Sequence, residues 1–256
     1  MSAPAPGSDP FVHLPALRDR VKPVAESALR VTPAVMAMWD ERARQLGRPA
    51  DWRWTDAAVE ASRQALLGGW PAAQDLWVYG YGSLMWDPAM HYTEVRRAEL
   101  DAHRRRFTFC TVIGRGSPEQ PGLMLSLEEE GSQPCSGLAF RIPAAQVDEE
   151  TRFIWRREML RGAYRPALRP VRTPQGPVQA LVFTSNPTHE DYRGELPLAE
   201  TAQMIARGRG VMGTNRDYLE QLAAQLAHLD IVDAYIVELL SQVRALATDC
   251  GGFAVV

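Results

Sequence analysis

Glu158 is the side chain that most needs a chemical explanation. It lies on a helical pattern that opens at Pro143, a residue suited to the first helical position, and runs to about Leu160. Val147, Thr151, Ile154 and Glu158 are spaced by four, three and four, so they share one face, flanked by Trp155 and Met159. The 3.6-residue period turns Arg156 and Arg157 roughly 200° and 100° away from that face. Asp148, Glu149 and Glu150 lie near the helix start, where negative charge suits the dipole, and ask for no special role. A carboxylate on an apolar stripe does. Two readings stand side by side: a structural salt bridge to Arg106 or Arg141, or a buried general base whose pKa is raised towards neutrality by desolvation.

The second chemical feature is the stretch Trp77-Val-Tyr-Gly-Tyr-Gly-Ser-Leu-Met-Trp86. It begins as a strand, with Leu76, Trp77, Val78 and Tyr79 all β-favouring, and breaks at Gly80 and Gly82. Glycines so spaced allow positive φ and close approach to a ligand. The N–H groups of the turn around Gly80, Tyr81, Gly82 and Ser83 can converge as an anion cradle. A tight turn between two core segments accounts for the same letters.

The elements around these features read in order. Residues 1–10 are Ala/Pro/Gly-rich and expected to be disordered, and residues 11–70 read as amphipathic helix closed by Gly68, Gly69 and Pro71. From Leu76 the pattern changes to short strands: Leu76 to Tyr79, Phe107 to Ile113, Leu123 to Leu127, Ser136 to Arg141 and Val178 to Thr184. The Glu158 helix falls between the last two. Helices follow at Leu198 to Arg207, Thr214 to Leu229 and Ile231 to Leu246. Strands first, one helix interposed and helices last predict an α+β fold. The expected organisation is a helical extension over 1–75, a catalytic domain over 76–247 and a tail over 248–256.

Several classes are disfavoured. The 256 residues carry a net charge of −3, which points to no nucleic-acid partner, and the run His103-Arg-Arg-Arg106 reads as the start of a strand. No apolar run approaches the ~20 residues of a membrane span. Three cysteines and no apolar leader predict a soluble, cytoplasmic protein with reduced thiols. The five histidines are scattered, so no metal site is expected. Gly208-Arg-Gly-Val-Met-Gly213 has the letters of a dinucleotide fingerprint but follows a helix, where Gly208 reads as a cap. Ser83 is not in the hydrolase nucleophile pattern.

Taken together, Val78-Tyr-Gly-Tyr-Gly-Ser-Leu84 with Trp86, Arg104-Arg-Arg-Phe107, the stretch Arg115 to Leu123, and Trp155-Arg-Arg-Glu-Met159 leading to Gly162-Ala-Tyr164 resemble the ChaC-like, glutathione-specific gamma-glutamylcyclotransferases. The likeness spans roughly 76–246, with these stretches in the family's order. It implies a gamma-glutamylcyclotransferase-like mixed β-barrel with flanking helices, to which the N-terminal helical extension is an addition. It implies cleavage of glutathione, a small-molecule substrate, to 5-oxoproline and cysteinylglycine with no cofactor. The family's loop, which binds the γ-glutamyl moiety, falls on Val78, Tyr79, Gly80, Tyr81, Gly82 and Ser83. Its catalytic glutamate falls on Glu158, and a substrate-binding tyrosine on Tyr218. Thr214 and Asp217 form a capping box before Tyr218, which shares a stripe with Leu222 and Leu226. Competing readings are the same chemistry on other γ-glutamyl amines or amino acids, and a non-catalytic metabolite-binding module. Oligomeric state is left open.

Overall fold

A computed structural model describes residues 9–130 and 132–249. The disorder expected over 1–10 and the tail expected over 248–256 lie largely outside these residues. In chain order the helices and strands are α1 (Pro33–Gln45), α2 (Asp56–Leu67), β1 (Leu76–Gly80), β2 (Glu94–Leu100), β3 (His103–Thr111), β4 (Gly122–Glu129) and β5 (Cys135–Ile142). There follow α3 (Val147–Glu158), β6 (Tyr164–Val171), β7 (Val178–Ser185), α4 (Leu198–Arg207), the two-residue strands β8 (Arg209–Gly210) and β9 (Gly213–Thr214), α5 (Asn215–His228) and α6 (Ala234–Asp249). The fold is mixed α+β. It divides into two compact units, one of Met1–His103 with Glu129–Asn186, the other of Arg104–Glu128 with Pro187–Val256.

The first unit is built on a five-stranded sheet in the order β2-β5-β1-β7-β6. β1 is central, antiparallel to β5 and parallel to β7. All its residues are buried, which is why its sequence is an unbroken apolar run. β2 and β6 were not legible in the sequence because they are edge strands. β2 alternates Val95, Ala98 and Leu100 with charged residues, and β6 carries Pro166 and Pro170, tolerated where an N–H faces no neighbour. One isolated antiparallel bridge, Glu99 to Arg172, joins these two edges.

α3 lies against this sheet through Val147, Thr151, Ile154 and Trp155, with Trp155 edge-on to Phe183 of β7 at 5.4 Å. The α-helix is shorter than the sequence predicts. Pro143 keeps an extended backbone, and a 3-10 turn at Ala144–Gln146 leads into Val147.

The predicted helix over 11–70 is also corrected. Pro15, Pro23 and Pro33 confine helix to α1 and α2, each capped by a threonine (Thr32, Thr55). Before α1 the chain is a strap with two short 3-10 turns. It is pinned by backbone bonds from Val95 N–H to the Pro10 carbonyl and from Lys22 N–H to the Trp86 carbonyl, at 2.9 and 2.8 Å. α2 packs on α3: Arg63 donates to Thr151 Oγ1 and Asp148 Oδ1, and Trp155 Nε1 donates to Ser62. Beyond α3, Trp54 N–H donates to the Leu160 carbonyl at 2.8 Å.

The second unit pairs β3 with β4 and packs α4, α5 and α6 on one another through Ala202, Ile205, Leu219, Leu222, Ile236 and Leu239. The predicted start of β3 at His103 holds, and so does the capping box of Thr214 and Asp217. Gly208 ends α4 as read, and Arg209 to Thr214 form a small hairpin.

Gly162, just after α3, has φ +74°, and a Cβ there would come within 2.2 Å of the Trp54 ring. Both the backbone and the indole oppose a side chain. Gly162→Ala is expected to destabilise the protein by more than about 1 kcal/mol; an unchanged urea midpoint would contradict the packing of Trp54 on this turn.

Candidate active site

The glycine turn follows the buried end of β1. Gly80 and Gly82 do not take the positive φ expected of them: φ at Gly82 is −133°. The smallness of Gly80 serves close approach instead. A Cβ on Gly80 would lie 3.0 Å from Leu84 Cβ, where a 3-10 turn over Ser83–Met85 folds back on the strand. On the neighbouring strand, a Cβ on Gly137 would lie 2.2 Å from the Gly80 carbonyl oxygen. Val78 and Tyr79 are fully buried, and the Tyr79 hydroxyl donates to the Cys135 carbonyl at 2.6 Å. Tyr81 stacks on Tyr79 with ring centroids 6.4 Å apart. Ser83 is the half-buried residue of the turn.

Glu158 is the last residue of α3, and its side chain is 15% exposed. Burial pushes its carboxyl pKa up, and the Arg157 guanidinium pulls in the opposite direction; the net direction is upward. Its ion-pair partner is neither Arg106 nor Arg141. Arg141 pairs with Asp75 and Glu94, Arg106 with Glu195, and Arg157 Nε stands 3.0 Å from Glu158 Oε1. Arg157, which the helical wheel turns away, is 8% exposed on its side chain. It donates through Nη2 to Ser83 Oγ at 2.8 Å and through Nη1 to the Asp87 carbonyl at 2.6 Å. Helix end and glycine turn therefore share one guanidinium.

Glu150, read as needing no special role near the helix start, is in fact buried and paired. It is 1% exposed and held by Arg30 in a bidentate pair at 2.7 and 2.9 Å, with the backbone N–H and Nδ1 of His91 completing its contacts. Burial raises its pKa, but Arg30 and His91 outweigh that and the net shift is downward. Arg30 donates as well to the Ala89 carbonyl at 3.0 Å. Asp87 binds Ser27 Oγ at 2.5 Å and Lys22 at 3.3 Å. The N-terminal strap thus grips both α3 and the chain leaving the glycine turn. Sequence reasoning missed Arg157, Arg30 and Glu150 because each depends on a partner 59 to 120 positions away. Nothing local marks them.

Tyr218 belongs to the second unit. Half-buried, it meets Phe107 edge-on at 6.1 Å and has the Arg115 guanidinium 6.0 Å from its ring centre. Arg115 Nη1 also donates to the Thr214 carbonyl at 3.0 Å. Among the described residues, no group of three or more His, Cys, Asp or Glu side chains gathers as a metal site would need, and no helix is long and apolar enough to cross a membrane.

Comparison with known proteins adds an independent observation. A family model described as ChaC-like protein matches residues 76–246. A glutathione-specific gamma-glutamylcyclotransferase of Escherichia coli (strain K12) is 35% identical over 197 residues, covering 77% of this chain and 84% of the relative. One of Schizosaccharomyces pombe is 33% identical over 189 residues, covering 66% and 92%. Among solved structures, a gamma-glutamyl cyclotransferase specific to glutathione from yeast aligns with a TM-score of 0.62 over 67% of this chain and 96% of its own, at 23% identity, a likeness of fold.

The raised pKa of Glu158 has a consequence for stability. Below the ordinary carboxylate range folded and unfolded states are both protonated and nothing is lost. As pH rises the unfolded state releases its proton first, so stability falls until the folded carboxyl ionises too. Each unit of displacement costs about 1.4 kcal/mol. Glu158→Gln keeps the shape and an acceptor for Arg157, and is expected to melt above wild type at about pH 7–8, the gap closing near pH 4. Thermal unfolding across this range checks it; equal melting temperatures at every pH would rule out an energetically strained carboxylate.

Proposed function

The chain belongs to the family of ChaC-like proteins, and we propose that it degrades glutathione as a glutathione-specific gamma-glutamylcyclotransferase, a lyase yielding 5-oxoproline and cysteinylglycine. The observation that carries this reading is the linkage of a desolvated carboxylate, Glu158, to Ser83 of the glycine turn through Arg157. A carboxyl held above its ordinary pKa and tied to the glycine turn suits proton transfer near neutrality.

The reaction is an intramolecular aminolysis. The α-amino nitrogen of the γ-glutamyl group attacks the γ-carbonyl carbon and forms the C–N bond of a five-membered lactam. The amide bond to the cysteinyl nitrogen breaks. Glu158 takes a proton from the α-ammonium, freeing the amine to attack, and returns it to the departing nitrogen; the second proton, lost as the attacking nitrogen becomes the lactam N–H, passes to the released amine, so charge and protons balance. Because nucleophile and electrophile belong to one molecule, the chain's main task is to fold the substrate; alignment of this kind contributes up to about 7–11 kcal/mol. Val78, Tyr79, Gly80, Tyr81, Gly82 and Ser83 form the γ-glutamyl subsite. Its backbone N–H groups hold the substrate carboxylate or the developing oxyanion, a role worth about 10²–10³ in rate per donor. The buried side chains of Val78 and Tyr79 support the turn, which leaves its backbone and Ser83 for the substrate. Tyr218 is assigned to substrate binding on the family resemblance.

We take residues 76–247 as the catalytic region, with support from the match over 76–246, and residues 1–75 as an extension that braces it. We infer that the five-stranded sheet is the wall of a barrel; the bridge between Glu99 and Arg172 at its two edges supports this. The odd count of three cysteines favours reduced thiols and a cytoplasmic setting.

Purified protein incubated with reduced glutathione is expected to release 5-oxoproline and cysteinylglycine in equal amounts. Glu158→Gln is expected to lower kcat by at least about 10²-fold with its fold intact. A folded variant retaining most of the activity would remove Glu158 as the base. Turnover of γ-glutamylalanine in place of glutathione would move the proposal to another substrate.

A further inference from the structure

Neighbouring residues on a helix point about 100° apart and do not normally face each other. Arg157 and Glu158 do meet, at the point where α3 ends. Arg157 curls towards the glycine turn, and the Glu158 carboxylate turns to the same guanidinium. The three nitrogens of that guanidinium go to three different places: Nε to Glu158 Oε1 at 3.0 Å, Nη1 to the Asp87 carbonyl at 2.6 Å and Nη2 to Ser83 Oγ at 2.8 Å. A planar fork with donors in fixed directions can fix three acceptors relative to one another, which a flexible ammonium cannot.

We propose that Arg157 is the positioning residue of this site, aiming the Glu158 carboxylate and holding it in fixed relation to the Ser83 turn. The proposal rests on Glu158 being the base. Arg157 acts on substrate only through its neighbours. A bland alternative is that it merely satisfies the Asp87 carbonyl and fills space. The two differ in electrostatics, because a positioning cation this close also favours the ionised carboxylate. Other charged groups on the surrounding elements have partners of their own: Lys22 with Asp87, Arg30 and His91 with Glu150, Arg141 with Asp75 and Glu94. Arg157 lies 3.0 Å from the Glu158 carboxylate and favours its ionised form.

The test is the pH profile of kcat/KM, with kcat and KM resolved separately, for wild type, Arg157→Met, Arg157→Lys and Glu158→Gln. Removing the cation leaves the carboxylate harder to ionise, so in Arg157→Met the acidic limb is expected to move to higher pH. Its plateau kcat is expected to fall by about tenfold or more as the base loses its aim, a loss within the range of misplaced catalytic groups. Arg157→Lys restores a charge without the fork: its limb is expected near the wild-type position and its kcat still depressed, with KM little changed. A wild-type limb in folded Arg157→Met, or a loss confined to KM, would overturn the proposal. Where Arg157→Met does not fold, Arg157→Lys decides, and a kcat equal to wild type overturns the fork. Glu158→Gln separates the two levels. If it keeps activity, the base assignment falls and this proposal with it; if it is inactive while Arg157→Met keeps the wild-type limb, Arg157 alone is removed.

Discussion

The candidate site of the first unit depends on keeping the Glu158 carboxylate largely out of water with a cation beside it. Desolvation favours the neutral acid, and the guanidinium favours the anion. Desolvation wins here, so the group is held above its ordinary range. That balance is sensitive to distance and to solvent access, and it requires the end of α3 and the turn after β1 to stay fixed. Both lie on elements with little freedom. β1 is the central strand of its sheet, and α3 is anchored by Trp155 and Ile154.

The N-terminal strap and α2 make the same requirement from the other side. Arg30 reaches Glu150 on α3 and the Ala89 carbonyl beyond the turn, so one side chain ties together the two segments that Arg157 joins. Glu150 is buried, and losing one member of a buried pair leaves a charge whose desolvation is uncompensated, at a cost of about 3–5 kcal/mol. Arg63 adds bonds to Asp148 and Thr151 one turn along α3. The extension is thus a brace for the helix, which gives a physical reason for its packing even though it precedes the region shared with the family.

Much of this was legible from the letters. Glu158 stood out because the spacing of Val147, Thr151 and Ile154 fixed the buried face of α3, and burial follows from periodicity. The β1 run and its glycine break were legible for the same reason. The capping box at Thr214 was legible because it is local. Other features were not. Gly80 and Gly82 were read as sources of unusual backbone angles, whereas close packing on Leu84 and β5 gives Gly80 its role. The inward reach of Arg157 was not legible, because a wheel gives the direction of Cβ, here turned away from the Glu158 face, and a long side chain can bend back from it. β6 was hidden by its prolines and β2 by its charges. Each is tolerable only at an edge, and edges belong to the sheet rather than to the strand.

The first unit is assembled from two separate stretches of chain, since β3 and β4 intervene between β2 and β5. Consider the chain emerging from a ribosome. The strap and α2 appear first, yet Arg30 has to wait for Glu150, 120 positions later, and β1 lacks both sheet neighbours until β5 and β7 have been made. Loops of this length must close before the contacts that reward them exist, which slows folding and prolongs exposure of apolar surface. The apolar run of β1 is therefore unprotected during synthesis for as long as its partners are untranslated. The arrangement around Glu158 cannot be complete until α3, and β7 beyond it, have been made.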